Sequence, residues 1–181
     1  MAFNKEELLQ KIAFNMAINP SITMTELANV VGIAKASLHR IYSTRENLKK
    51  VIVQRVKTVY AEISTILNKE HPNYMNDLKN LIKIFCNNRV YILFIMRDVF
   101  TDCIDGSDWE KHDRELAAFF GEGQNKGFLN KNFSSEVMAN IFLGILTWIL
   151  HMQLEKNNIA QQDLENVILQ AFLKGVGNSQ I

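Results

Sequence analysis

The chain has 181 residues, 48% of them apolar and 22% charged, with a formal net charge of +1, which suits one or two soluble domains with a real core and excludes a disordered or fibrous chain. Eight Gly and two Pro argue against a hairpin-rich β architecture and for long helices joined by short turns. The charge is uneven: residues 1–57 hold nine Lys/Arg against four Asp/Glu, or +5, and residues 58–181 hold eleven against fifteen, or −4, the distribution of a nucleic-acid-binding piece joined to something else.

Residues 6–18 place Leu8, Leu9, Ile12, Ala13, Met16 and Ala17 on one helical stripe. This start lacks the basic residues and apolar run of a secretion signal, and a cytoplasmic location is expected. Pro20 ends the stripe, since the residue before a proline is pushed out of the helical region. Thr23 stands three residues before Glu26, the spacing of a capping box, so a helix is expected from Met24 to Val31, stopped by Gly32. A second short helix follows from Lys35 to Ile41 or Tyr42. Ser43 and Thr44 are both good N-caps, and Ser43 with Glu46 offers another capping box. A long helix then runs to Leu67 through Leu48, Ile52, Val56, Val59 and Ile63.

Further helices are expected over 74–87, 89–102, 109–124, 135–155 and 161–173, with no strand. The apolar stretch 137–152 is interrupted by Asn140, Thr147 and His151, too short and too polar for a membrane span, and reads as a buried or interface helix. Cys86 and Cys103 lie inside apolar patterns and read as buried thiols. His151 and Glu155 are a weak ligand pair, and Asp102, Asp105 and Asp108 lack the closing Glu of a calcium loop. Neither metal nor cofactor is expected. No nucleophile motif, P-loop or dinucleotide fingerprint appears, so the chain does not read as an enzyme.

Residues 24–41 read as a helix-turn-helix. Leu27, Val31, Ile33, Leu38 and Ile41 form the apolar set, Ala28 is small where a crossing helix approaches, and Gly32 makes the turn. Lys35, Ala36, Ser37, His39 and Arg40 are left to face outward. No acidic residue occurs between Asn29 and Arg45, as a phosphate-facing surface requires.

The segment from Thr23 to Leu48, TMTELANVVGIAKASLHRIYSTRENL, resembles the DNA-binding signature of the TetR family of bacterial transcriptional regulators. The matching places are Thr23, Leu27-Ala28, Gly32-Ile33, Lys35, Ser37-Leu38, Tyr42, and Thr44-Arg45-Glu46 to Leu48. Ala36, His39 and Ile41 depart from the residues the family usually carries. The resemblance implies Thr23, Thr25, Lys35, Ala36, Ser37, His39, Arg40, Tyr42, Thr44 and Arg45 as the DNA-binding set, with Lys35, Thr44 and Arg45 mainly at phosphates and Ser37 and His39 near base edges. It implies an all-α fold of about nine helices. Residues 1–48 would form the three-helix DNA-binding domain, and a long helix would join it to an effector-binding and dimerisation domain, 49–181.

One helix-turn-helix reads few base pairs, and two related by a two-fold axis read a palindrome with half-sites about 34–36 Å apart. Residues 136–150 are apolar nearly all round, and with residues 164–176 they are expected to form a homodimer interface. Tyr60, Phe85, Tyr91, Phe94, Met96, Phe100, Phe119, Phe120 and Phe142 are the candidate lining of a pocket for a small apolar ligand, though each taken singly is more often core. The expected function is a repressor of a double-stranded DNA operator released by a small-molecule effector. The alternative is a helical protein-interaction module whose motif no longer binds DNA.

Overall fold

A computed structural model describes residues 4–96 and 106–176. Among the described residues there are nine helices and no strand: α1 (Lys5–Ile18), α2 (Met24–Val31), α3 (Lys35–Tyr42), α4 (Arg45–Leu67), α5 (Tyr74–Asn87), α6 (Arg89–Met96), α7 (Gly106–Asn125), α8 (Ser135–Lys156) and α9 (Leu164–Val176). Two compact units are present, one of Met1–Thr58 with Val90–Ile104, the other of Val59–Arg89 with Asp105–Ile181. α4 contributes to both.

In the first unit the helix ends are set by local chemistry. Asn4 accepts from the amides of Glu6 and Glu7 and starts α1. Thr23 and Glu26 form the expected capping box, and Gly32 ends α2 at φ 77°, a left-handed conformation open to glycine at little cost. Leu8, Leu9, Ile12, Ala13, Met16, Ala17, Ile22, Leu27, Ala28, Leu38, Tyr42, Leu48, Ile52 and Val56 are buried. Val31 is only half-buried and Ile41 is 42% exposed, so neither belongs to the core expected of them. The reason is the narrowness of the stripe: α3 buries only Leu38 and Tyr42, four residues apart, and Ile41 falls on its flank. α6 packs with this unit, and Tyr91 to Ile95 are all buried. The Tyr91 hydroxyl donates to Glu6 Oε1 at 3.0 Å, and the Arg55 guanidinium lies 3.5 Å from the same oxygen and 5.6 Å from the Tyr91 ring centre.

The second unit is held by stacked and edge-on aromatic rings. Phe120, Phe142 and Phe172, from α7, α8 and α9, meet with centroids 5.2–5.3 Å apart. Tyr74 stacks on Phe119 at 4.7 Å and on Phe128 at 5.4 Å. The loop before α5 is anchored by buried His71, whose Nδ1 lies 3.1 Å from Asp77 Oδ2. Burial works to raise the Asp77 carboxyl, but hydrogen bonds from Lys69 and His71 outweigh it and hold the group below the usual carboxylate range. α7 starts at Gly106 rather than 109. α9 starts at Leu164 rather than 161, because the residues before it close i to i+3 turns, Asp163 to Ala160 and Leu164 to Gln161.

α8 matches the helix expected over 135–155 to within a residue, but against the reading of its apolar stretch as too short and too polar, its 22 residues are by length and composition alone long and apolar enough to cross a membrane. Its Met138, Ala139, Phe142, Leu146, Leu150 and Gln153 are buried, and buried Gln153 accepts from Arg89 Nε at 3.0 Å, which is the behaviour of a core helix in a folded unit. Its other face, with Val137 44% and Trp148 63% exposed, is uncovered among the described residues.

A Cβ at Gly123 would fall 2.3 Å from the Tyr74 ring, which is fixed on both faces by Phe119 and Phe128. Gly123→Ala is therefore expected to destabilise the protein by about 1–3 kcal/mol through overpacking, read as a lowered thermal unfolding midpoint.

Candidate nucleic-acid interface

The candidate interface is the outward side of α3 with the ends of α2 and α4 beside it. At about 100° per residue, Ala36 and Arg40 lie opposite the buried Leu38–Tyr42 stripe, and Ser37 and His39 lie on its flanks. Lys35, Ala36, His39 and Arg40 are exposed and Ser37 is half-buried. The N-cap of α3 is Ala34, which supplies no side-chain hydrogen bond, so no side chain caps the first-turn amides of α3, and this helix end is positively polarised. The carboxylates that flank the motif in sequence are turned to other work. Glu26 accepts from both the amide and the hydroxyl of Thr23 at 2.8 Å, and backbone and Thr44 hydrogen bonds hold the Glu46 carboxyl below its ordinary range.

The other expected residues have mixed placements. Thr25 is exposed. Thr23 is exposed but its hydroxyl is bound in the capping box. Thr44 is exposed and its Oγ1 accepts from the Asn47 amide at 3.1 Å, which makes Thr44 the cap of α4. The Ser43–Glu46 capping box does not form. Tyr42 is buried and burial pushes its phenol up, so it packs the motif from inside. Arg45, expected at a phosphate, is half-buried and turned inward. Its Nε donates to the Ile22 carbonyl at 3.2 Å and its Nη2 to the Pro20 carbonyl, tying the α1–α2 connection to the start of α4.

The junction between α3 and α4 is a feature the residue pattern hides. Ser43 has φ 59° and ψ −64°, and the Thr44 amide donates to the Tyr42 carbonyl at 2.7 Å. This is the rare γ-turn with positive φ, in a residue that is not glycine. Two contacts with His39 close it. The Ser43 amide donates to the His39 carbonyl at 2.7 Å, and His39 Nδ1 lies 2.9 Å from the Ser43 carbonyl oxygen.

Eight of the nine candidate pocket residues lie among the described residues. Tyr91, Phe94 and Met96 belong to the first unit, and Tyr60, Phe85, Phe119, Phe120 and Phe142 to the second. Met96 is 48% exposed, while Phe85, Tyr91, Phe94, Phe119, Phe120 and Phe142 are buried, several against one another. Tyr60 is half-buried beside Trp109 and His112. Phe100 lies outside the described residues, as do Asp102, Cys103 and Asp105. Cys86 is buried and its thiol is pushed up to about 12 by desolvation. His151 Nε2 lies 3.3 Å from Glu155 Oε2, and among the described residues no three His, Cys, Asp or Glu gather as a metal site would need.

No family model matches the chain. The HTH-type transcriptional regulator NfxB of Pseudomonas aeruginosa is 28% identical over 177 residues, 96% of this chain and 94% of that protein. Among solved structures, the TetR family transcriptional regulator PfmR from Thermus thermophilus superposes with a TM-score of 0.63 at 15% identity, covering 95% of each chain. The fold is that of the TetR-family transcriptional regulators. AibR in complex with isovaleryl coenzyme A and operator DNA superposes with a TM-score of 0.63 at 15% identity, over 92% of this chain and 96% of that one. NfxB and PfmR are both transcriptional regulators.

The inward guanidinium of Arg45 carries its own test. Arg45→Ala leaves the Pro20 and Ile22 carbonyls without their donor and is expected to destabilise the chain by about 1–3 kcal/mol. Arg45→Lys should recover only part of this, because an ammonium lacks the fork that reaches both oxygens. Chemical denaturation of the three proteins, without DNA, measures both effects.

Proposed function

We propose that the chain is a homodimeric, cytoplasmic DNA-binding regulator, a repressor that leaves a palindromic operator when a small apolar ligand binds its C-terminal part. Residues 1–48 would contact DNA and residues 49–181 would bind the effector and the second subunit. The observation that carries this reading is the outer side of α3, where Lys35, His39 and Arg40 are exposed and the adjacent Glu26 is bound to Thr23. A face of donors and cations without a free carboxylate suits a polyanion. The solved AibR complex, with isovaleryl coenzyme A and operator DNA, supports the pairing of ligand and DNA on this fold. Release would follow if the effector bound better to a conformation unsuited to the operator, by the ratio of its two affinities.

Dimerisation is supported by the uncovered face of α8. Val137, Gly144 and Trp148 are exposed there, spaced as one helical seam, and among the described residues a Cβ at Gly144 would meet nothing beyond its own helix within 4 Å. Two copies related by a two-fold axis would cover this seam. Trp148→Glu is expected to keep the helical circular dichroism of the parent while sedimenting as a monomer. A variant that stays dimeric would place the interface elsewhere.

DNA binding is tested by mobility shift on fragments enriched from random duplexes. Lys35→Ala and Arg40→Ala should each weaken binding, and loss of a phosphate contact at Lys35 should lower the slope of log affinity against log salt by about one. Unaltered binding in both variants would remove α3 from the interface. A parent protein that enriches no duplex at any salt would favour the protein-interaction module.

A further inference from the structure

We infer that His39 is a base-reading residue of fixed polarity. Its Nε2 accepts a hydrogen bond from an exocyclic amino group, adenine N6 or cytosine N4, in the major groove. The inference rests on the DNA-binding reading above and names what one side chain of that surface recognises.

The argument starts from the Ser43 carbonyl. His39 Nδ1 lies 2.9 Å from that oxygen, and a carbonyl oxygen only accepts, so Nδ1 must carry the hydrogen. A neutral imidazole has one donor and one acceptor nitrogen, and the bond made by one sets the role of the other. Nε2 is then left with its lone pair. The partner oxygen is itself held in place: Ser43 is the centre of the γ-turn, with its amide on the His39 carbonyl and the Thr44 amide on the Tyr42 carbonyl. His39 is exposed on the flank of α3, and the hydrogen bond that places its ring uses Nδ1 alone.

A lone pair on this face discriminates among the groups a duplex presents. Phosphate oxygens, guanine O6 and N7 and thymine O4 are all acceptors and offer Nε2 nothing. Adenine N6 and cytosine N4 are the donors of the major groove. The neighbours are complementary: Lys35 and Arg40 only donate, and the Ser37 hydroxyl does both. The face of α3 therefore carries one enforced acceptor among cations, and the backbone of the next turn enforces it.

The test is selection of bound duplexes from a random pool at pH 8, above the ordinary imidazole range, with the full chain as parent, His39→Gln and His39→Phe. The parent should enrich adenine or cytosine at one position of each half-site, about tenfold over guanine or thymine. His39→Phe should flatten that position and leave the others and the salt slope unchanged. His39→Gln, which offers an acceptor and a donor together, should hold the position to adenine. Thermal unfolding of each variant shows whether it is folded, and a folded His39→Gln is sufficient if His39→Phe is not. The inference is overturned if a folded variant keeps the parent's preference for both bases, or if binding weakens equally on every sequence with a smaller salt slope, the mark of a phosphate contact. A parent that enriches no sequence overturns the DNA-binding reading itself, which is a distinguishable result.

Discussion

Two helices of eight residues are too short to persist in water by themselves. α2 and α3 are both of that length, so both depend on their few fully buried inward residues, and α2 on its capped ends as well. Leu27, Ala28 and Leu38 are 1% exposed or less. Ala28 matters by its size, since a larger side chain would push α2 off its neighbours. The capping box holds one end of α2, Gly32 the other, and Arg45 fastens the preceding loop to α4. Everything on the outer side of α3 follows from this. The inward residues fix the helix so completely that the outer ones have no packing duty and are free for chemistry.

The contacts fall into two kinds by the distance along the chain that they join. Those made within a turn were legible in the sequence: the Thr23–Glu26 box and the Gly32 stop, and the start and end of α3. Where two adjacent residues offered the same cap, the pattern did not decide, and Thr44 took the role because Ser43 was already committed to the γ-turn. The inward Arg45 joins residues more than twenty positions apart, and no local rule points to it. The His39–Ser43 bond spans only four residues, yet it depends on a backbone conformation that serine rarely adopts, which composition does not announce.

The aromatic residues show a different limit. A run such as Tyr91 to Ile95 reads as apolar wherever it packs, and only the fold says what it meets. In the structure α6 joins the first unit, with the Tyr91 hydroxyl on Glu6 near the very start of α1. The phenylalanines of α7, α8 and α9 instead fill one another's space. Their mutual contacts account for the cohesion of the second unit.

Tyr74 and Gly123 lie 49 positions apart in the chain, yet they occupy one volume. With the ring clamped on both faces, neither position is free to drift alone: a larger residue at 123 is tolerated only alongside a smaller one at 74, and a smaller residue at 74 alone opens a void. Among sequences of this lineage the two should therefore change as a pair or not at all, so a substitution at one forecasts the identity of the other. Such a linked pair marks the descent of the α5–α7 packing more faithfully than any of the surface residues whose chemistry the protein uses.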